Sequence, residues 1–190
     1  REYDAFQESL ERLGLDYVDL YLIHWPVRGR YQQSWEVLER ILEQGLARAI
    51  GVSNFNPHHI DDLIAMGGTV PAVNQYQLHP QMSCPTLRSY CRNHGVQIEA
   101  CQPLGQGLYI GDPVLSEIGR KYAKSAVQVV LRWVLQHGVV TLPKSSRPDR
   151  IRENRDLFDF ELSSEDMAVI DHMNINRSIT PDADPETFTF

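Results

Sequence analysis

The chain has 190 residues, of which 42% are hydrophobic and 23% are charged, which is ordinary for one globular domain with a substantial core. Its net charge of −7 argues against nucleic acid as a partner, and its scattered Lys and Arg residues give no basic face for an anionic membrane. No apolar run approaches the roughly 20 residues of a membrane span, and no signal peptide is visible.

The cysteines and histidines show no pattern typical of a metal site or a disulfide framework. Cys84, Cys91 and Cys101 are an odd number without disulfide-like spacing, which predicts a reducing, cytoplasmic environment. There is no Cys-x-x-Cys pair, and the adjacent His58 and His59 cannot share one helix face as ligands four residues apart would. We therefore predict that the protein binds no metal.

Hydrophobic periodicity predicts helices and strands that alternate along the chain. The first two predicted helices contain Phe6 and Trp35, and residues 28–33 are predicted as a loop before the second of them. The other helices are predicted to begin at or next to Pro57, Pro85, Pro113, Ser125, Pro148 and Ser163. Leu13 and Leu42 are expected on the buried faces of their helices. Strands are predicted at 18–23, 47–52, 70–74, 96–100 and 139–142. This alternation with short turns indicates an α/β fold with a parallel sheet.

The first predicted strand ends in His24-Trp25-Pro26. Pro26 cannot continue a central ladder, so His24 stands at the carboxyl end of the strand. In parallel α/β sheets and barrels, that end carries the ligands and the chemistry. An imidazole beside an indole at this place is a candidate for chemistry, although a purely structural histidine also fits.

Four motifs occur in order along the chain. They are Leu22-Ile23-His24-Trp25-Pro26, Gly51-Val52-Ser53-Asn54-Phe55, Val73-Asn74-Gln75 and Pro143-Lys144-Ser145. Together they strongly resemble the aldo-keto reductases, and the resemblance covers the whole chain. It implies a (β/α)8 TIM barrel that binds NADPH in an extended form without a Rossmann domain. Because a complete barrel usually needs about 250 residues, residues 1–173 would be the C-terminal portion of a single barrel domain, about strands four to eight plus C-terminal helices. Residues 174–190 would be a tail that packs on the barrel.

The resemblance also implies an activity, the NADPH-dependent reduction of an aldehyde or ketone to an alcohol by hydride transfer in the complete barrel. In the family a Tyr supplies the proton, supported by a Lys and an Asp, while a His donates a hydrogen bond to the carbonyl. Only the His maps onto this chain, as the catalytic His24, and Trp25 would bind the carbonyl substrate. We therefore expect the 190-residue stretch alone to be incompetent. The missing N-terminal barrel segments would come from the same or another polypeptide.

By resemblance, Ser53, Asn54 and Gln75 hold the nicotinamide carboxamide. Hydroxyl and amide side chains supply both the donors and the acceptors that an amide requires. The alternative is that they are turn and capping residues. Cys101 stands where the family commonly has a Tyr or Trp stacked on the nicotinamide ring, and a thiol gives up that stacking area.

The phosphates of the cofactor are assigned to two further segments. Gly105 and Gln106 would approach the pyrophosphate, where missing or small side chains allow close contact, although an ordinary flexible turn also fits. Leu104 is assigned to the cofactor as well.

Lys144, Ser145 and Arg150 match the family's contacts to the 2′-phosphate of NADPH, and cations at a helix N-terminus suit an anion on physical grounds as well. Charges on a solvated loop are the alternative. Glu153 and Asn154 would lie near the adenine.

Other histidines and polar residues are assigned no chemistry. Gln77 replaces a Glu that is frequent in the family, and His79 is predicted to fix its loop. The remaining histidines are predicted to lie on the surface: His58, His59, His94, His137 and His172.

Two other functions stay open at this point. Members of the fold also serve as nucleotide-binding accessory subunits or structural proteins without turnover, and the Cys101 departure is compatible with weakened catalysis. Unrelated barrel chemistry on phosphorylated metabolites is disfavoured, because barrel phosphate sites usually lack the Pro-Lys-Ser pattern. The sequences of the loop that begins at Leu104 and of the tail look closest to those of microbial reductases that act on sugar-derived and small dicarbonyl substrates.

Overall fold

The computed structural model describes residues 2–189, which form an α/β fold with one parallel sheet. The α-helices are Glu2–Leu13 (α1), Tyr31–Glu43 (α2), Pro57–Ala65 (α3), Pro85–Asn93 (α4), Pro113–Tyr122 (α5), Ala126–Gln136 (α6), Pro148–Arg155 (α7) and Ser164–Asp171 (α8). The strands are Val18–Ile23 (β1), Ala47–Ser53 (β2), Val73–Gln77 (β3), Gln97–Cys101 (β4) and Val140–Leu142 (β5), and they follow chain order across the sheet. The alternation predicted from the sequence is confirmed. None of the helices in the described part is long and apolar enough to span a bilayer.

The chain divides into two compact units that alternate along the sequence. The first comprises residues 2–75, 86–97 and 182–189, and the second comprises Tyr76–Pro85 and Ile98–Pro181. Strand β3 begins in the first unit and ends in the second. A single barrel domain over residues 1–173 stays a prediction.

In the first unit, β1 and β2 pair in parallel over most of their length, with Leu20 opposite Ala49 and Leu22 opposite Gly51. Gly51 is required by packing. A Cβ atom there would lie 2.6 Å from Cγ2 of Val73 and 2.9 Å from Cδ2 of Leu22, closer than carbon atoms can approach. The absence of a side chain therefore lets the neighbouring strands of this unit come together.

The prediction of a loop over residues 28–33 is wrong, because α2 already begins at Tyr31. The Tyr31 ring is buried, meets the Phe55 ring edge-on at 5.6 Å, and its hydroxyl donates to Asp62. These contacts come from residues distant in sequence, so the polar composition of the segment did not reveal them.

Two residues predicted on buried helix faces are not buried. Leu13, the last residue of α1, is 61% exposed. Leu42 is only half-buried, because the buried stripe of α2 runs through Trp35, Leu38 and Ile41. The helical periodicity was correct, but the centre of the buried face lies one residue away from Leu42.

The third strand also differs from its prediction at 70–74, since β3 starts at Val73 and continues to Gln77. Pro71 has no N–H to donate to a ladder. Pairing with β2 instead places Gln75 opposite Ser53. Gln75 therefore lies inside the strand rather than after its end.

In the second unit, side-chain hydrogen bonds order the ends of α6. Ser125 caps the helix, since its Oγ accepts from the Gln128 N–H at 3.2 Å while Gln128 Oε1 accepts from the Ser125 N–H at 3.0 Å. At the other end, Trp133 Nε1 donates to Asp171 Oδ1 at 3.0 Å, and His137 Nε2 lies 2.8 Å from the same oxygen. Helix α8 is thereby tied to α6.

The first part of the tail is hydrogen-bonded within the second unit. The N–H groups of Ile175 and Arg177 donate to the Gln81 carbonyl at 3.3 and 2.9 Å. The Ile179 N–H donates to Gln77 Oε1 at 3.1 Å. Gln77, to which the sequence assigned no function, therefore helps to hold the tail.

His79 is fully buried, and its Nδ1 lies 2.7 Å from the hydroxyl of Tyr109. The same hydroxyl accepts from the Gln81 N–H at 3.1 Å. Burial, with a smaller effect from Arg177, lowers the pKa of His79 to about 4. The ring is therefore neutral at physiological pH, in keeping with the loop-fixing role predicted for it.

Candidate functional site

The ends of β1 and β2 meet at His24 and Asn54 in the first unit. His24 directly follows β1, is exposed, and lies 5.9 Å from the Trp25 ring. Asn54 Nδ2 donates to the His24 carbonyl at 2.9 Å and to Ser53 Oγ at 3.1 Å. Asn54 has a φ of 64°, a left-handed conformation that Asn tolerates better than most residues. The fold thus brings candidate groups from the ends of two neighbouring strands to the same edge of the sheet.

The residues assigned to the carboxamide are hydrogen-bonded to one another. Ser53 is buried, and its Oγ donates to the Gln75 carbonyl at 3.0 Å. The Ser53 hydroxyl must therefore leave that carbonyl before it can donate to a ligand. Asn54 Oδ1 is the acceptor that this cluster offers to an amide NH2.

The tail supplies an aromatic residue that sequence reasoning missed. The Phe188 ring stacks on Trp25 with centroids 4.2 Å apart and planes 9° apart. The interaction spans most of the chain, and Phe188 stands in a Pro- and Asp-rich segment without a recognisable motif. Only folding brings it to the candidate substrate residue.

A second cluster in this unit consists of His58, His59 and Glu186, whose ligand atoms all lie within 4.8 Å of one another. The prediction that His59 lies on the surface is wrong, because it is 5% exposed and packs against the rings of Tyr31 and Phe55. Burial, followed by the neighbouring His58, lowers the pKa of His59, while Glu186 and Asp62 act in the opposite direction with smaller effects.

The tautomer of His59 decides what this cluster can bind. Its Nδ1 accepts a hydrogen bond from the Asn56 N–H at 3.1 Å, so the ring hydrogen is on Nε2. Nε2 is the atom that faces Glu186, at 3.9 Å. His59 therefore presents a donor to the carboxylate rather than a lone pair to a cation. The absence of a metal stays a prediction, with this tautomer in its favour.

The second unit contains a cavity of about 800 Å³. Its lining includes most of the cofactor residues predicted for this part of the chain: Leu104, Gln106, Lys144, Ser145, Arg150, Glu153 and Asn154. Cys101 and Gly105 of the predicted set lie outside the lining. Folding thus gathers three separate sequence segments around one concave surface.

The cavity presents positive charge that the described residues do not neutralise. Across residues 2–189, neither Lys144 nor Arg150 has a carboxylate partner within 4.0 Å. Lys124 also lines the cavity, but it pairs with Asp156 at 2.7 Å and Asp159 at 2.8 Å. Lys144 and Arg150, near the N-terminus of α7, are therefore the cations available to an anionic ligand.

The segment predicted as a flexible loop forms a 3-10 turn at Gly105–Gly107. Gly105 is buried with a φ of 55°, and a Cβ atom there would lie 3.1 Å from Cβ of Leu108. Gln106 also has a positive φ, of 57°, and its side chain lines the cavity. The glycine thus shapes the turn, while Leu104 and Gln106 meet the cavity.

Two predicted residues have neighbours that restrict their chemistry. Glu153 Oε1 accepts a hydrogen bond from Ser125 Oγ at 2.6 Å, which fixes the carboxylate at the cavity wall. Cys101, at the end of β4, is half-buried, and burial raises the pKa of its thiol to about 11. The thiol is therefore neutral at physiological pH.

Other cavity residues carried no sequence signal. Ser116 and Arg120 on α5, together with Tyr109, line the cavity without belonging to any of the recognised motifs. Arg120 forms an ion pair with Glu117. Ser116 and Arg120 reach the cavity through the position of α5, whereas Tyr109 lies before that helix.

Known proteins that are similar to this chain point to one family. The family model for the aldo/keto reductases matches residues 3–175 of the sequence. The chain is 50% identical over 184 residues to the glyoxal reductase of Bacillus subtilis, covering 97% of this chain and 67% of that protein. It is also similar to the solved structure of a Bombyx mori aldo-keto reductase in complex with NADP, with a TM-score of 0.89 and 36% identity, covering 94% of this chain and 64% of that one. A second silkworm aldo-keto reductase, complexed with NADPH, gives a TM-score of 0.88 and 34% identity, with 94% and 62% covered.

The chain spans about two thirds of the length of the curated relatives it matches. The chain is about half identical to a known reductase over nearly its whole length, and the family model matches residues 3–175, so both comparisons indicate the same family. The chain belongs to the aldo/keto reductase family.

Proposed function

We propose that the protein carrying this chain reduces an aldehyde or ketone to an alcohol with NADPH. The observation that carries the proposal is the cavity of the second unit, with the unpaired cations Lys144 and Arg150 in its wall. The relatives that were crystallised with NADP or NADPH support the cofactor. When bound, that cofactor supplies a hydride.

The cavity fits the adenosine phosphate end of such a cofactor. Lys144, Arg150 and the hydroxyl of Ser145 would hold the 2′-phosphate, because charge-assisted hydrogen bonds suit a dianion. Glu153 and Asn154 would face the adenine. Leu104, Gly105 and Gln106 would form the turn beside the pyrophosphate, with Gly105 keeping the backbone tight.

The strand ends of the first unit would serve the reacting end. Asn54, with Ser53 and Gln75, would hold the carboxamide of the nicotinamide. The His24 ring N–H would donate to the carbonyl oxygen of the substrate, which orients it and stabilises the charge that develops on it. Trp25 would line the substrate side.

We further propose that the five strands correspond to strands four to eight of a (β/α)8 barrel, with the Tyr, Lys and Asp of the reaction on other segments of the same or another polypeptide. A small dicarbonyl is the favoured class of substrate, a choice supported by the glyoxal reductase of Bacillus subtilis. The cytoplasmic location stays a prediction from the cysteine pattern.

Cofactor preference tests the assignment of the cavity. Replacing Arg150 with Met is expected to weaken NADPH binding about tenfold or more, since a hydrogen bond to a charged group contributes roughly 1.5–3 kcal/mol. NADH, which lacks the 2′-phosphate, should be nearly unaffected. Fluorescence titration of both cofactors measures the effect.

Arg147→Met is the matched control for this titration. Arg147 lies close in sequence but outside the cavity lining, and its guanidinium already pairs with Asp149 at 2.7 Å. It should leave both affinities unchanged. Equal losses for NADPH and NADH with Arg150→Met would remove the 2′-phosphate assignment.

Cys101 provides a separate test at the nicotinamide end. If the aromatic platform of the family is absent here, Cys101→Trp should tighten NADPH binding by about 0.5–1.5 kcal/mol, the contribution of one stacked ring. Cys101→Ala serves as the control that changes the thiol without adding a ring. Weaker binding by the Trp variant, with unchanged thermal unfolding, would show that the platform lies elsewhere.

A further inference from the structure

One face of the candidate substrate residue is covered by the chain's own tail. Phe188 stacks on Trp25 with nearly parallel planes, 9° apart, and with 4.2 Å between the ring centroids. Trp25 directly follows His24, the group proposed to orient the carbonyl. An aromatic substrate therefore cannot stack on this face of the indole while Phe188 is in place.

Two residues before Phe188, the carboxylate of Glu186 is held at the start of α3. Asn56 Nδ2 donates to Glu186 Oε1, and His58 Nε2 lies 3.4 Å from Oε2. The protonated Nε2 of His59 faces Oε2 at 3.9 Å. The first turn of a helix also favours a negative charge, because its free N–H groups carry partial positive charge.

The tail itself presents Glu186 in a local turn. The Glu186 N–H donates to Asp184 Oδ1 at 2.9 Å, and the Thr187 N–H donates to the Asp184 carbonyl at 3.1 Å. The carboxylate that contacts α3 and the ring that contacts Trp25 are thus separated by one residue of an ordered segment. Loss of the Glu186 contacts with α3 should therefore weaken the stacking of Phe188 on Trp25.

We propose that Glu186 is a positioning residue that holds Phe188 on Trp25 by binding the first turn of α3, and that the covered indole selects small carbonyl substrates over aromatic ones. The substrate half of this inference rests on the proposed function, whereas the positioning half does not. Glu186 touches no reacting atom; it acts through Phe188.

The position of Phe188 is measured by 19F NMR of the intact protein labelled with 5-fluorotryptophan. The Trp25 resonance is assigned by its absence from Trp25→Phe, and Phe188→Ala gives its position without the stacked ring. Glu186→Ala is expected to move the resonance towards the Phe188→Ala position. Glu186→Gln, which keeps an acceptor for Asn56, should remain near the wild-type position.

Asp182→Ala is the matched control, since it removes another exposed carboxylate from the same tail. Its Trp25 resonance should be that of the wild type. If Glu186→Ala leaves the resonance in place, or if Asp182→Ala moves it equally, the positioning role is refuted.

Substrate choice is measured as the ratio of KM for benzaldehyde to KM for propanal. Glu186→Ala and Phe188→Ala are each expected to lower this ratio about threefold, because benzaldehyde can then stack on the uncovered face of Trp25, with kcat for propanal unchanged. An unchanged ratio beside a shifted Trp25 resonance would overturn the selection of small substrates. Absence of turnover with every aldehyde would instead contradict the proposed function, and the resonance would still decide the role of Glu186.

Discussion

Replacing His24 with alanine is expected to lower turnover in the complete protein by about 10²–10³-fold, the scale of losing one donor to a developing oxyanion. The reason is the position of the ring at the carboxyl end of β1, where it is exposed and free to meet a ligand. NADPH affinity should hardly change, because the cavity that would hold the phosphates belongs to other residues. Steady-state reduction of an aldehyde, together with an NADPH titration, measures both quantities.

The hydrogen bond that orders this strand end survives the substitution, since Asn54 Nδ2 donates to the backbone carbonyl of His24. Loss of activity therefore would not reflect collapse of the loop. His24→Gln should recover part of the turnover because its amide can donate. His172→Ala should have no effect, because His172 is an exposed histidine directly after the C-terminus of α8. Full turnover in His24→Ala would make His24 a structural residue.

Residues 1–190 by themselves are expected to reduce no carbonyl detectably, to bind NADPH poorly and to aggregate. In the described residues β1 pairs only with β2 and β5 only with β4, which leaves unpaired N–H and C=O groups on both end strands. Val140 and Leu142 on β5 are 42% and 41% exposed, so apolar surface is also left uncovered. The proton donor expected from the family is absent from the matched motifs.

An NADPH-consumption assay with light scattering on a polypeptide of confirmed mass tests this expectation. Addition of the barrel segments that carry the Tyr, Lys and Asp should restore both solubility and turnover. A monomeric 21.8 kDa species that reduces an aldehyde would contradict it. NADPH binding without any turnover in the complete protein would favour the accessory function instead.

Local sequence signals were sufficient for the alternation of helices and strands and for the segments of the candidate site. Apolar periodicity and flanking Pro and Gly residues act over a few positions, so they can be recognised before the fold is known. His24 was placed at a strand end in the same way, whereas Lys144, Ser145 and Arg150 were assigned through the resemblance to the aldo-keto reductases. Lys144, Ser145 and Arg150 lie together in the lining of one cavity, and their contact with a phosphate stays a prediction.

Tertiary structure decided what depends on partners far away in the sequence. Strand β3 starts at Val73 and not at residue 70 as predicted, because pairing with β2 and the missing N–H of Pro71 outweigh the apolar composition of the predicted strand. His59 became buried because two aromatic rings and the start of α3 enclose it, which no property of an adjacent His pair reveals. Phe188 reached Trp25 from the opposite end of the chain, since stacking and the contacts of Glu186 are made only when the tail has folded back.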